Sequence, residues 1–322
     1  MDRFDNIPET ALAWHQQGKG AALATVVETW GSSPRRVGAQ LAVSGEGEIE
    51  GSVSGGCVEG AVVVEAMDAL DDGQHRLLEF GVSDEDAFAV GLACGGTIRV
   101  LVEPVGSVMP LEVLENLVEA RAGRQPVAVL ADLETGKREL VREGFEEQFR
   151  MDRSGFEDEG RLFVAIHNPP LRLVVVGAVH IAQGLVPMAR LAGYDPVLVD
   201  PREAFGSEAR FPGEDIRHDW PDEALAEIGL DSRTALVLLT HDPKLDDPAL
   251  HIALRSDAFY IGALGSNRTH GKRVDRLTAD GFSAEEIARI HGPVGLDIGA
   301  ASPSEIAVSI LGEMTRVLRR GA

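Results

Sequence analysis

The sequence is poor in cysteine and lacks long apolar runs, and each shortage argues against a class of protein. Its 322 residues include two cysteines, too few for a disulfide framework or a four-cysteine zinc site. The longest apolar runs, such as 173–176 and 235–239, are far shorter than the roughly 20 residues that span a bilayer. The N-terminal segment is polar and lacks a signal-peptide core, so a cytoplasmic protein without membrane attachment is expected.

Positive charge is also scarce. Thirty lysines and arginines stand against 52 acidic residues, and only four of the thirty are lysines, which gives a net charge of −22. Such a surface repels phosphate backbones, so general nucleic-acid binding is not expected, and the simplest interpretation of the charge is solubility. The length predicts about two domains, and the hydrophobic share of 44% is ordinary for a globular protein.

The hydrophobic pattern changes at the double proline 169–170, where we place the domain boundary. Residues 1–168 combine short strands with amphipathic helices and predict a mixed α+β domain, with an exposed loop or hairpin over the acidic stretch 142–161. From residue 169 to 322, continuous apolar strands alternate with helices. This pattern predicts an α/β domain of the Rossmann type, whose parallel sheet is covered on both faces.

The last helix has a recognisable start. Ser302 can cap it, Pro303 occupies the first helical position, and Glu305 completes a capping box. The apolar stripe that follows has helical spacing and is interpreted as core rather than as a cofactor site; it consists of Ile306, Ile310, Met314, Val317 and Leu318.

The turn after the first strand of the second domain partly matches the dinucleotide fingerprint. Gly177 can form the tight turn, Ala182 is an allowed third position, and Asp200 follows at the usual distance. Val179 replaces the middle glycine, and its β-branched side chain should keep a diphosphate away. The segment therefore predicts the fold more strongly than it predicts NAD binding. A domain that binds another ligand here, or none, is equally consistent. The candidate binding residues of this turn are Gly177, Ala178 and His180.

Each cysteine stands beside a pair of glycines. Cys57 follows Gly55 and Gly56 and precedes a helix predicted over 58–70. Glu59 stands two residues after it. Glycine pairs let backbone amides converge on a bound group, and a helix N-terminus favours the thiolate. Two such motifs indicate a soft metal or sulfur ligand, or a persulfide carrier, more than two buried structural thiols. The second motif consists of Cys94, Gly95 and Gly96.

Two other segments gather arginines suited to phosphate binding. The glycine-bounded loop 31–38 offers two hydroxyls and two guanidinium groups, although a solvated turn is the plain alternative; these residues are Ser32, Ser33, Arg35 and Arg36. The segment 265–273 is basic and follows a strand of the second domain, where ligands of open α/β sheets bind. We expect it to meet two other strand ends there. The candidate residues are Gly265, Ser266, Arg268, Asp200, Arg202 and His241, although His241 and His180 can also be ordinary loop histidines.

Several segments together resemble the XdhC/CoxI family, the xanthine dehydrogenase accessory factors. They cover nearly the whole chain in the family's order and comprise GSSPRRVGAQ, GSVSGGCVEGAV, ACGG, GAVHIA, VDPR, IGALGSNRTH and GLDIGAASPSEIAVSI. The resemblance implies an XdhC/CoxI domain followed by a Rossmann-like domain. Val179 departs from the family, which usually has glycine at that position.

The resemblance also implies a function. A cytoplasmic factor of this family would bind the molybdenum cofactor, as molybdopterin or its cytosine dinucleotide form, protect it during sulfuration and help to insert it into a hydroxylase. The implied partners are a cysteine desulfurase and an apo molybdenum hydroxylase of the xanthine or carbon monoxide dehydrogenase type; a homodimer is also expected. The candidate residues named above would contact the cofactor, with Cys57 touching molybdenum or sulfur.

Two other hypotheses belong to different classes of protein. An NAD(P)-dependent oxidoreductase would need nucleotide binding at the turn that Val179 obstructs, so NAD(P) is not expected. A non-binding assembly scaffold is disfavoured by the glycine–cysteine motifs and by the basic segment. Since no acid–base pair or nucleophile–histidine arrangement is apparent, a carrier is favoured over a catalyst.

Overall fold

The protein is described by a computed structural model that covers residues 6–31, 33, 35–81 and 96–320. The chain divides into two compact units, Asp2–Pro169 and Pro170–Ala322. The first unit is a mixed α/β structure with antiparallel sheets and the second contains a parallel sheet, so the predicted fold class is confirmed. In these residues no helix combines the length and apolar character needed to cross a bilayer.

The first unit contains a five-stranded antiparallel sheet in the order β3-β2-β1-β5-β4. Alternate residues of β1 enter two separate hydrophobic cores, one shared with helix α1 and one with helix α2, because successive strand side chains point to opposite faces. The elements are α1 (Ile7–Gln16), β1 (Ala21–Trp30), β2 (Gln40–Ser44), β3 (Ile49–Gly51), α2 (Glu59–Asp72), β4 (Arg76–Phe80) and β5 (Thr97–Pro104).

A second antiparallel sheet of this unit has the order β7-β6-β9-β8. The exposed loop or hairpin predicted over 142–161 is only partly right, because the stretch contains a short helix and strand β8. Phe156 fixes that strand by packing edge-on against Phe163, with 5.3 Å between the ring centres. The elements are α3 (Leu111–Ala122), β6 (Val127–Asp132), β7 (Arg138–Val141), α4 (Glu146–Met151), β8 (Gly155–Glu157) and β9 (Leu162–His167).

The second unit is a six-stranded parallel sheet in the order β12-β11-β10-β13-β14-β15. This is the strand order of dinucleotide-binding folds, in which the order of the strands reverses between the first and the fourth strand of the domain, here β10 and β13. The elements are β10 (Leu171–Val176), α5 (His180–Leu191), β11 (Tyr194–Val199), β12 (Asp215–Arg217), α6 (Pro221–Ile228), β13 (Thr234–Leu238), α7 (Pro243–Ala253), β14 (Tyr260–Ala263), α8 (Asn267–Ala279), α9 (Ala284–Ile287), β15 (Ile290–His291) and α10 (Pro303–Arg320).

The central strands of this sheet are buried on both faces, which explains their continuous apolar sequence. Leu173 and Val175 enter the core shared with α5 and α10, whereas Val174 and Val176 enter the core on the opposite face. The predicted start of the last helix is confirmed, because the amide of Ser302 donates to Glu305 Oε2 at 2.8 Å and the amide of Glu305 donates back to the serine hydroxyl at 3.3 Å.

Candidate functional site

The turn after β10 brings two strand ends of the second unit together. Gly177 has a φ of +109°, a conformation that favours glycine. A Cβ atom at this position would lie 2.7 Å from Thr240 Cγ2, which is too close for any side chain. Glycine therefore allows the end of β10 to pack directly against the residues that follow β13.

Asp200, at the end of β11, holds this turn in place. Its side chain is fully buried; Oδ2 accepts a hydrogen bond from the Ala178 amide at 2.8 Å, and both carboxylate oxygens accept from the Arg202 guanidinium at 2.8 Å. Burial alone would raise the pKa of Asp200, but these hydrogen bonds lower it overall. The protein itself thus encloses and occupies the Asp200 carboxylate, and the predicted contact with a cofactor stays a prediction.

Val179 is the N-cap residue of helix α5. Its backbone is extended, with φ −94° and ψ 179°, and the side chain packs partly buried against the core that α5 shares with the sheet. His180 is the first helical residue and is exposed. The side chain that replaces the expected glycine is therefore a packing element of this turn.

A cavity of about 240 Å³ lies where β13 and β14 end. Two of the predicted residues, His241 and Arg268, line it. Gly265 and Ser266 do not line it; they directly precede α8, and the Ser266 hydroxyl caps that helix by accepting a hydrogen bond from the Thr269 amide at 3.2 Å. The lining residues are His241, Pro243, Asp246, Arg268, Thr269, Lys272, Arg273 and Arg276.

The cationic side chains of this cavity differ in their partners. Arg268 and Lys272 are exposed, and within the described part of the chain their side chains make no hydrogen bond or ion pair. Arg276 is paired with Asp247 through contacts of 2.6 and 2.9 Å. The positive charge available to a ligand at the surface of the cavity therefore comes from Arg268 and Lys272.

A buried ion pair forms the inner wall. Arg273 and Asp246 are each 2% exposed, and Arg273 Nη2 lies 3.6 Å from Asp246 Oδ2 and donates to the Leu264 carbonyl at 3.0 Å. The Nε and Nη1 atoms of Arg273 have no hydrogen-bond partner among the described residues. Burial lowers the pKa of Arg273 and raises that of Asp246, as expected for charges removed from water.

Sequence reasoning included Arg273 only within the basic segment 265–273, without naming it as a candidate residue, and it missed Asp246. The signal that could have found Arg273 is helical spacing, since Thr269, Arg273 and Arg276 fall on one face of α8. Asp246 stands in the first turn of α7 and accepts a hydrogen bond from the Thr240 hydroxyl at 2.5 Å. The sequence alone gives no sign of that contact.

The glycine–cysteine loop of the first unit is organised around its own glutamate. The buried carboxylate of Glu59 accepts hydrogen bonds from the Ser52 hydroxyl at 2.7 Å, from the Ser54 hydroxyl and from four backbone amides, those of Val53, Ser54, Gly56 and Val58. Burial would raise the pKa of Glu59, yet these bonds lower it to about 2.

The amides of this loop are consequently not available to a ligand. All six of residues 53–58 donate to the Glu59 carboxylate or to the hydroxyls of Ser52 and Ser54. In this structure the amides of Gly55 and Gly56 donate to the protein's own oxygens, and their predicted contact with a bound group stays a prediction. Helix α2 begins at Glu59 rather than Val58, so Cys57 does not directly precede it; its half-buried side chain packs against the sheet.

The remaining predicted residues are only partly described. Ser32, Cys94 and Gly95 lie outside the described residues, and Gly96 is buried just before β5. Ser33 donates its hydroxyl proton to the Arg35 carbonyl at 2.8 Å, Arg35 is half-buried and Arg36 is exposed. The described residues contain no group of three or more His, Cys, Asp or Glu side chains that could hold a metal ion.

Both units of the chain match known protein families, and the two families are related by name. Residues 14–81 match the XdhC and CoxI family, and residues 173–314 match the XdhC Rossmann domain. The chain is 34% identical to the molybdenum cofactor insertion chaperone PaoD of Escherichia coli (strain K12), across 93% of this chain and 84% of PaoD. It is 28% identical to a probable xanthine dehydrogenase subunit of Bacillus subtilis (strain 168), across 94% of each. Among solved structures, a crystal structure of a xanthine dehydrogenase from Bacillus halodurans has a TM-score of 0.63 and 25% identity, covering 97% of this chain and 95% of that one.

Proposed function

The chain belongs to the XdhC and CoxI family, and on that premise we propose that it binds the molybdenum cofactor and helps to insert it into a molybdenum hydroxylase. The observation that carries the proposal is the alignment with the insertion chaperone PaoD over 93% of the chain. The proposed role requires binding and release of a cofactor, without a catalytic step on the chain's own residues.

The chemistry of the cofactor matches groups found in each unit. Molybdopterin carries a phosphate, which suits the guanidinium and ammonium donors of Arg268 and Lys272. It also carries an enedithiolate and a metal that prefers soft ligands, for which the thiol of Cys57 is the available partner among the described residues. Because the described residues offer no set of metal ligands, we propose that Cys57 touches molybdenum or its sulfur as a single protein contact.

The finer parts of the role are proposals of the same kind. We propose that the chain protects the cofactor during sulfuration by a cysteine desulfurase and delivers it to an apo-hydroxylase of the xanthine or carbon monoxide dehydrogenase type. The cofactor is molybdopterin or its cytosine dinucleotide form, the carrier acts in the cytoplasm, and a homodimer is the proposed assembly. The relative named as a xanthine dehydrogenase subunit supports this choice of partner class.

The direct test is activation of an apo-hydroxylase. Cofactor released from a molybdenum hydroxylase is added to an apo xanthine dehydrogenase-type enzyme, with this protein, without it, or with an equal mass of albumin. We expect faster and more complete activation only with this protein, because a bound cofactor is shielded from oxidation before transfer. Equal activation in all three mixtures would refute the proposed role.

A nicotinamide-dependent oxidoreductase is the alternative that the parallel sheet raises. The Asp200 carboxylate, which such enzymes offer to a ribose, is already bound by Arg202 and Ala178, and Val179 fills the place of the middle glycine. We therefore propose no NAD(P)-dependent activity. Saturable oxidation of NADH or NADPH by the purified protein, without retained pterin, would favour the oxidoreductase instead.

A further inference from the structure

We propose that the cavity where β13 and β14 end binds a phosphate group, with Arg268 and Lys272 at its surface and Arg273 as the buried donor of its inner wall. The inference rests on the proposed function only for the identity of the molecule that carries the phosphate. The site itself rests on the contacts of the cavity.

The main argument is the incomplete bonding of Arg273. A guanidinium has five N–H donors, and buried polar groups in proteins are nearly always hydrogen-bonded. Arg273 is 2% exposed, and its Nε and Nη1 atoms have no partner among the described residues. Its contact with Asp246, at 3.6 Å, is too long for a hydrogen bond and satisfies neither atom. An anion in the cavity would supply the missing acceptors and remove the cost of leaving them unpaired.

The second argument is the charge at the surface of the cavity. Arg268 and Lys272 are four residues apart on α8, so their side chains lie on the same face of the helix. Neither has a hydrogen bond or ion pair within the described residues, in a chain whose net charge is −22. Arg268 lies in the first turn of α8, where the helix dipole also favours an anion.

The buried guanidinium of Arg273 and the surface charges of Arg268 and Lys272 together favour a phosphate ligand over a carboxylate ligand. A phosphate carries up to two negative charges and has several oxygens, so it can accept from a buried guanidinium and from two surface cations at the same time. A volume of about 240 Å³ leaves room for such a group. Asp246, which lies beside Arg273 in the inner wall, keeps Arg273 partly neutralised when no ligand is bound.

The test uses inorganic pyrophosphate, titrated calorimetrically into the full chain. We expect saturable binding to the wild type that weakens as ionic strength rises, because salt screens contacts with surface charges. The double variant R268A/K272A should bind at least tenfold more weakly, since each charge-assisted contact is worth that order of affinity. The charge-matched control R217A/R255A, altered at surface arginines of the same unit, should bind like the wild type.

Arg273 is tested separately because it is buried. R273K keeps the charge but loses the fork of donors, so we expect pyrophosphate affinity to fall about tenfold while the circular dichroism spectrum stays unchanged. In the wild type, titration with pyrophosphate should also shift the Nε–H resonance of Arg273, which a merely structural arginine would not show. Wild-type protein that does not bind pyrophosphate, or R268A/K272A and R273K variants that bind it normally, would overturn the proposed site.

A second arm identifies the source of the phosphate. Protein loaded with cofactor released from a hydroxylase should no longer bind pyrophosphate if the cofactor's phosphate occupies the cavity. Unchanged binding after loading would overturn that assignment and indicate a free phosphate compound, such as a nucleotide. If pterin is retained equally by wild type and R268A/K272A, the assignment of the cofactor's phosphate to this cavity fails and the carrier function stands. If pyrophosphate binds as expected but pterin is never retained, the carrier function fails and the site stands.

Discussion

Two polar regions of this protein present N–H donors, and they differ in whether the protein supplies the acceptors. In the first unit, the loop 53–58 directs its six amides to the Glu59 carboxylate and to two serine hydroxyls, so the chain supplies its own anion. In the second unit, the cavity at the ends of β13 and β14 leaves two nitrogens of Arg273, Nε and Nη1, without a partner among the described residues. Here the anion has to come from outside.

This difference separates a segment whose hydrogen-bond donors are all satisfied by the protein, the loop 53–58, from one that has donors left for a ligand, the cavity lined by Arg273. A fully satisfied network fixes a loop and stabilises the fold, whereas a partly satisfied one keeps a cost that a ligand can remove. Glu59 should therefore govern the stability of the first unit, and Arg273 with its neighbours should govern binding in the second. Substitutions that separate stability from binding can break or sharpen this contrast.

The largest effect is expected for Glu59→Gln. The amide would place an NH₂ group against N–H donors that now share a carboxylate, and we expect the free energy of unfolding to fall by about 3 kcal/mol. Urea unfolding followed by tryptophan fluorescence in a W220F background reports on the first unit, which holds Trp14 and Trp30. The matched control is Glu65→Gln, on the exposed face of the same helix. Equal stability of the two variants would contradict the role of Glu59.

The pH dependence of this effect has a definite sign. The pKa of Glu59 is about 2, below its usual value of 4.5, so its stabilising contribution is present above pH 4.5 and is lost as the pH falls towards 2. The lowered pKa corresponds to about 3 kcal/mol. We expect the stability difference between wild type and E59Q to shrink as the pH falls from 4.5 to 3 in urea titrations. A difference that stays constant over this range would show that the carboxylate charge is not the cause.

A smaller effect, on cargo rather than stability, is expected for Cys57→Ser. The thiol is half-buried and packs on the sheet, so the serine variant should unfold within about 1 kcal/mol of the wild type. Retained molybdenum and the sulfurated activity of the recipient hydroxylase should fall severalfold, and by more than in Cys94→Ser. If Cys57→Ser keeps wild-type levels of both, the cysteine has only a packing role.

The next effect tests the carboxylate that faces Arg273. Asp246→Asn removes a negative charge from the wall of the cavity while keeping an acceptor for the Thr240 hydroxyl. Pyrophosphate should bind about threefold more tightly, because one like charge no longer opposes it. Asp275→Asn, an exposed change of the same charge on α8, serves as the control in the same calorimetric titration. Weaker binding by D246N would indicate that Asp246 is needed to orient Arg273.

The smallest effect is expected at the turn after β10. Val179→Gly restores the middle glycine of the fingerprint and should raise a weak affinity for NAD or ATP, measured by equilibrium dialysis, by a small factor. The gain is limited because the Asp200 carboxylate remains occupied by Arg202. An unchanged nucleotide affinity in V179G, together with an unchanged pyrophosphate affinity in R268A, would favour a scaffold without a ligand.

Much of the fold follows from local sequence rules. The apolar run at 171–176 and the capping box at Ser302 each specify their element through neighbouring residues, and the structure agrees with both. The predicted stripe of α10 lacked three residues that the helix buries, which are Ala307, Ser309 and Glu313. The least expected of them is Glu313, because a charged residue gives no hydrophobic signal. Its carboxylate accepts from the Tyr260 hydroxyl at 2.7 Å and from the Gly295 amide at 2.8 Å, contacts between residues far apart in sequence.

The candidate site was harder to predict because it too depends on contacts between residues that are far apart in sequence. The basic segment 265–273 and His241 lie at the strand ends that border the cavity, because the strand order of a parallel sheet determines which loops meet. The use of the amides at Gly55 and Gly56 could not be deduced, since a glycine-rich turn looks the same whether its anion is a ligand or Glu59. Likewise, Asp200 has the spacing of a ribose contact, and only its bidentate pairing with Arg202 indicates a positioning role.

The pterin content of the purified protein tests the central claim most directly. Wild type, R268A/K272A and the control R217A/R255A are produced with molybdate in the same host, oxidised, and assayed for fluorescent pterin per chain. We predict retained pterin in the wild type and the control and a loss of at least tenfold in R268A/K272A, because the cavity would hold the cofactor through its phosphate. Equal pterin in all three proteins, or none in the wild type, would contradict the claim.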